Sequence, residues 1–123
     1  MAHHAMLIED EPNITEAIRF LLMREGWQVT ALPDGHEAET ALRATQPDLL
    51  ILDTMLPGRS GLEILSALRA DPALEALPVL MLTARGQPRD REAAEQAGAS
   101  LFMAKPFSNA DFVAAARSLV GAG

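Results

Sequence analysis

Four kinds of reactive side chain recur at the ends of apolar runs. Glu9, Asp10 and Glu11 follow one run, Asp53 closes a second, Thr83-Ala84 a third, and Lys105-Pro106 a fourth. Lys105 is the only lysine, since the other basic residues are arginines. A chain that uses arginine for its solvated surface and lysine at one place points to a need for a compact ammonium there instead of a planar fork. Carboxylates held close together repel one another and persist mainly around a hard divalent cation. Mg²⁺ suits them, because it accepts one or two carboxylates, a carbonyl and several waters. A carboxylate is also a nucleophile toward phosphorus and forms an aspartyl phosphate. Phosphoryl transfer asks chiefly for positioning and for neutralisation of the equatorial oxygens, which a cation, an ammonium, a hydroxyl and a backbone N–H supply.

The elements that must position these groups are legible from period. Short apolar runs at 5–9, 27–32, 48–53, 78–83 and 99–104 read as strands. Those starting at 5, 48 and 78 are almost wholly apolar, as strands covered on both faces are. Between them lie helical patterns. Ile14, Ile18, Leu21 and Leu22 form one stripe that ends at Gly26, and further helices are expected at 36–45, 61–70, 89–97 and 108–120. The last opens on Ser108-Asn109-Ala110-Asp111, a capping-box pattern. Helix 89–97 offers only alanines to the core and should be the most weakly anchored. Strands alternating with helices make a (βα)5 chain, for which the stable solution is a doubly wound parallel α/β sheet in a single domain, 1–123. Ligands of such sheets bind beyond the carboxyl ends of the strands. The carboxylates of Glu9, Asp10 and Asp53, with Glu11 next to them, the hydroxyl and the lysine therefore converge on one edge.

Composition narrows the partners. In 123 residues, 17 acids against 10 bases leave a net charge of -7, which argues against direct nucleic-acid or anionic-membrane binding. At 49% hydrophobic and 22% charged the chain reads as globular. No apolar run is long enough for a membrane span, and Met-Ala-His-His-Ala is not a secretory start, so a cytoplasmic chain is expected. The absence of cysteine excludes disulfides, thiolate metal sites and a Cys nucleophile.

The sequence resembles the receiver domain of two-component response regulators, a flavodoxin-like fold. The resemblance runs from Met6 to Leu119 and rests on Glu9-Asp10-Glu11-Pro12, on Asp53-Thr-Met-Leu-Pro57-Gly-Arg-Ser-Gly61, on Leu82-Thr83-Ala84, and on Lys105-Pro106-Phe107. It implies the strand order 2-1-3-4-5. It also implies that Asp53 accepts a phosphoryl group from a histidine kinase or histidine phosphotransfer protein. Asp10, Asp53 and the Met55 carbonyl would bind Mg²⁺, with Glu9 acting through water. Thr83 and the Ala84 N–H would take phosphoryl oxygens, Lys105 would pair with their charge, and the Lys105–Pro106 bond would be cis. Phe102 falls at the aromatic position that moves with Thr83, and the output partner or effector domain would engage the 89–119 face. Phe102 replaces the usual Tyr or His, so coupling there would rest on packing alone. Ala99-Ser100-Leu101 stands where DNA-binding relatives often carry an Asp pair, which weakens the case for their charged dimer surface.

Plainer readings stand beside these. Glu11 reads as a helix-start charge favoured by the N-terminal dipole, His3-His4 as ordinary N-terminus, and Arg85, Arg89 and Arg91 as a solvated face. Thr83 could cap the next helix. Met55 and Arg85, each two residues beyond a site residue, should flank a hydrolytic water without orienting it, which predicts slow self-dephosphorylation. A Mg²⁺-dependent phosphatase of the haloacid-dehalogenase type would need a second Asp where Met55 stands. A pseudo-receiver would lack some of the key residues.

Overall fold

The computed structural model describes residues 3–84 and 88–121. Its elements are β1 (His4–Ile8), α1 (Pro12–Arg24), β2 (Gln28–Leu32), α2 (Ala38–Thr45), β3 (Leu49–Asp53), α3 (Gly61–Arg69), β4 (Val79–Thr83), α4 (Pro88–Ala97), β5 (Leu101–Ala104) and α5 (Asn109–Leu119). All neighbouring strands are parallel, in the order β2-β1-β3-β4-β5. This is the doubly wound sheet expected from the sequence.

Alternation along the strands divides the core in two. Met6, Ile8, Leu50, Leu52, Val79 and Met81 point to one face, where α2, α3 and α4 cover them with Leu42, Ile64, Leu65, Leu68 and Ala94. Ala5, Leu7, Leu49, Ile51, Leu80 and Leu82 point to the other, against Ile18, Leu21 and Leu22 of α1 and Phe112 and Ala116 of α5. The three inner strands are apolar at all but one end position each, because both their faces are covered. Ala94 is the one buried residue of α4, whereas α3 buries Ile64, Leu65 and Leu68. At about 0.8 kcal/mol per buried methylene, α4 is held by much less apolar burial, as expected.

Local signals set the helix ends. Gly26, at φ +84°, closes α1: its N–H donates to Met23 O and the Trp27 N–H to Leu22 O, both at 3.0 Å, a Schellman motif. That bond keeps Trp27 outside β2, although the apolar run suggested otherwise. A full capping box forms at Ser60 and Glu63, heading α3. At α5 the expected box is only half made. The Asp111 N–H donates to Ser108 Oγ at 3.0 Å, and aspartate, one methylene shorter than glutamate, has less reach for the return bond.

The arginines are not all solvated surface. Arg69 donates from Nε to Gly98 O at 2.9 Å and from Nη1 to Leu77 O at 2.7 Å, tying the α3–β4 and α4–β5 connections together. Arg59 makes a bidentate pair with Glu39 across α2 and the turn before α3. No helix among the described residues is long and apolar enough to cross a membrane.

Candidate functional site

The strand ends carry the reactive groups. Glu9 lies one residue past β1, and its N–H extends the ladder to Leu32 O at 3.1 Å. Asp53 and Thr83 are the last residues of β3 and β4, and each is 3% exposed. Lys105 follows β5, with its N–H donating to Thr83 O at 2.7 Å. The Lys105–Pro106 peptide is cis. Beyond it Phe107 stacks on the buried Phe112 ring at 5.1 Å, which fixes the loop that presents Lys105.

One ammonium serves several carboxylates. Lys105 Nζ lies 2.7 Å from Glu9 Oε1, 3.2 Å from Asp53 Oδ2 and 3.7 Å from Glu11 Oε1. Its bond to Asp53 has hydrogen-bond geometry. Glu9 Oε1, by contrast, is buried without a hydrogen bond, so the contact there is an ion pair only. Asp53 Oδ1 accepts the Met55 N–H, and Glu9 Oε2 accepts the Glu11 N–H, both at 3.2 Å. Glu9, Asp10, Glu11 and Asp53 each place a carboxylate oxygen within 4.8 Å of the others. Burial pushes the Glu9 carboxyl up to about 7, with Lys105 working against the rise and Asp53 adding to it. Burial also opposes the charge of Lys105, but Glu9 and Asp53 outweigh it and hold the ammonium above its ordinary pKa. An all-oxygen donor set of four clustered carboxylates facing a single ammonium is short of positive charge and fits Mg²⁺. An open groove of about 220 Å³ lined in part by Glu9, Asp10 and Thr15 leaves the cluster accessible.

The structure thus brings together Glu9, Asp10, Asp53, Thr83 and Lys105 from four strands. It adds Glu11, which had read only as a helix-start charge. Glu11 is the N-cap of α1, yet its carboxylate faces Lys105. Met55 contributes its N–H while its side chain is 69% exposed. Ala84, exposed, follows Thr83. Thr83 ends β4 and Ala84 after it is not helical, so Thr83 does not cap α4. Phe102 sits on β5, half-buried and packed against the core under α4, and Arg91, exposed as its reading had it, lies 5.3 Å over that ring. Arg85 lies outside the described residues. The sequence reading missed Thr54, whose Oγ1 donates to Thr83 Oγ1 at 3.2 Å. Only its place next to Asp53 could have suggested it.

Comparison with known proteins resolves the family. The family described as response regulator receiver domain matches residues 5–117. The chain belongs to this family. As a receiver domain it is 41% identical over 114 residues to the phosphate regulon transcriptional regulatory protein PhoB of Rhizobium meliloti, covering 93% of this chain and 50% of that one. It is 40% identical to the probable transcriptional regulatory protein TcrX of Mycobacterium tuberculosis, over 94% of this chain and 48% of that one. The receiver domain therefore spans about half the length of these relatives. Among solved structures, a response regulator from Chloroflexus aurantiacus superposes with a TM-score of 0.94 at 30% identity, covering 98% of this chain and 99% of that one. The receiver domain of the sensor histidine kinase PA1611 of Pseudomonas aeruginosa, described with a magnesium ion coordinated in its active-site cleft, superposes at 0.90 with 29% identity, over 99% and 100% of the two chains.

Proposed function

We propose that residues 1–123 act as one receiver domain and that Asp53 is its phosphoacceptor. The observation that carries this reading is Asp53 Oδ2 at 3.2 Å from Lys105 Nζ inside the carboxylate cluster at the carboxyl end of the sheet. The donor is a phosphohistidine on a histidine kinase or histidine phosphotransfer protein. An Asp53 carboxylate oxygen forms a bond to phosphorus as the phosphorus–nitrogen bond breaks, and the imidazole nitrogen keeps that electron pair. Asp10, Asp53 and the Met55 carbonyl would hold Mg²⁺, with Glu9 reaching it through water. The ion, when bound, supplies positive charge to the phosphoryl oxygens. The Thr83 hydroxyl and the Ala84 N–H donate to those oxygens, and Lys105 pairs with their charge.

The consequence is conformational. On β4 and β5 the alternation of side chains sets Thr83 and Phe102 on the same face of the sheet, under α4. A shift of Thr83 toward Asp53 changes the space beside the Phe102 ring, and α4, held by Ala94 alone among its buried residues, is the element freest to respond. The 89–119 face then engages an output protein or effector domain. The net charge of -7 favours a protein partner over nucleic acid or membrane, and the cytoplasm is the expected place of action. Such a chain is a switch that catalyses only its own phosphorylation and dephosphorylation. Incubation with acetyl phosphate and Mg²⁺, followed by intact mass measurement, tests the reading. Wild type should gain one phosphoryl group and Asp53→Asn none, and single-site labelling of the variant would sink the assignment.

A further inference from the structure

We infer that Thr54 is a positioning residue for phosphoryl transfer, acting through the hydroxyl of Thr83. The inference rests on the reading of Asp53 as acceptor and Thr83 as a donor to the transferred group. Thr54 follows the acceptor directly, and its backbone is held at both ends. Its N–H donates to Leu82 O at 2.9 Å, and its C=O accepts the Gly61 N–H at 3.0 Å. The Cα is therefore pinned between β4 and the start of α3, and a β-branched side chain on it has few rotamers. From that position Oγ1 donates to Thr83 Oγ1 at 3.2 Å.

The effect on Thr83 follows from the chemistry of a hydroxyl, which has one hydrogen and two lone pairs. A donor at one lone pair turns the Thr83 hydrogen away from Thr54. It also polarises that hydrogen, because O–H groups in series strengthen one another where water is excluded. Thr83 is 3% exposed, so water competes little for the role. On the opposite side the Lys105 N–H holds the Thr83 carbonyl at 2.7 Å, so the hydroxyl is set between fixed neighbours from β3 and β5. Hydroxyl pairs usually sit at roughly 2.7–2.8 Å. At 3.2 Å the contact here is longer than that. Thr54 touches no reacting atom. Its work is to aim the donor that does.

The test is a double-mutant cycle on phosphoryl uptake from acetyl phosphate with Mg²⁺, followed by intact mass. Thr54→Val keeps the shape and removes the hydroxyl, and should slow uptake by roughly threefold to tenfold, the span of one hydrogen bond's net worth. Thr54→Ser should restore the wild-type rate. In a Thr83→Ala background, Thr54→Val should add nothing, an outcome that a merely structural role would not produce. Thr54→Ala replaces the Val variant in every comparison if thermal melting shows that Thr54→Val does not fold. Wild-type rates in the Thr54 variant, or an undiminished effect in the Thr83→Ala background, overturn the inference while leaving Asp53 as acceptor. Absence of uptake by wild type overturns both.

Discussion

A Cβ built on Gly61 would lie 2.1 Å from the backbone carbonyl oxygen of Asp53 and 2.9 Å from its carbonyl carbon. The first residue of α3 thus closes on the peptide of Asp53 itself, an approach no other residue allows. Because the obstacle is backbone, a rotamer change cannot relieve it. Gly61→Ala should cost roughly 1–3 kcal/mol, the range of overpacked sites, and should slow phosphoryl uptake by shifting Asp53. Urea unfolding and the acetyl phosphate assay read the two effects, and an unchanged midpoint would mean that the turn yields freely.

Lys105 is 10% exposed at its side chain and meets Glu9 and Asp53 at 2.7 and 3.2 Å. A guanidinium is longer and planar, and cannot occupy the same point. Lys105→Arg should fold yet take up phosphate roughly tenfold more slowly, about 1.4 kcal/mol in the barrier. Equal rates would remove any significance from the single lysine.

Arg59 holds the Glu39 carboxyl below its ordinary 4.5, chiefly through their hydrogen bonds. A depressed folded pKa means that the unfolded chain binds the proton more readily. The stabilisation is therefore complete above 4.5 and disappears as pH falls through the folded value. Both side chains are partly exposed, at 29% and 24%, so a surface-pair worth of about 1 kcal/mol applies. Glu39→Gln should lower the urea midpoint at neutral pH and converge with wild type in acid. A gap that persists in acid would assign the effect to packing instead.

Met55 sets its N–H on Asp53 Oδ1 while its side chain stays 69% exposed. A thioether is a weak acceptor and does little to fix a water attacking the phosphoryl group. Met55→Asn adds an amide that can orient that water, so the phosphorylated variant should decay several-fold faster in excess Mg²⁺, each tenfold reflecting about 1.4 kcal/mol. Equal or slower decay by intact mass would refute the idea. Trp27 is no reporter for such experiments, because it precedes β2, at the opposite end of the strands from Asp53.

Much of the architecture was written locally. Five apolar runs with helical stripes between them, Gly26 after α1 and Ser108 before α5 all act over a few residues, so pattern alone located the elements to within about two positions. Physics of the βα repeat then put Glu9, Asp10, Asp53, Thr83 and Lys105 on one edge, since a parallel sheet sends every strand's carboxyl end the same way. The strand order came from family resemblance, because local period carries no information on which strand pairs with which.

What the sequence by itself determined, then, is the order of elements and the identity of the charged groups at their ends. Tertiary structure alone decided that Glu11 turns toward Lys105, that Thr54 reaches Thr83 across 29 residues of sequence, that Arg59 finds Glu39, and that Arg69 binds the Gly98 carbonyl. Each of these is set by strand register and side-chain rotamer, acting between residues that no local period relates. Burial works similarly on Glu9, whose type and position are plain in the chain, but whose pKa of about 7 exists only once the fold has taken its carboxylate out of water.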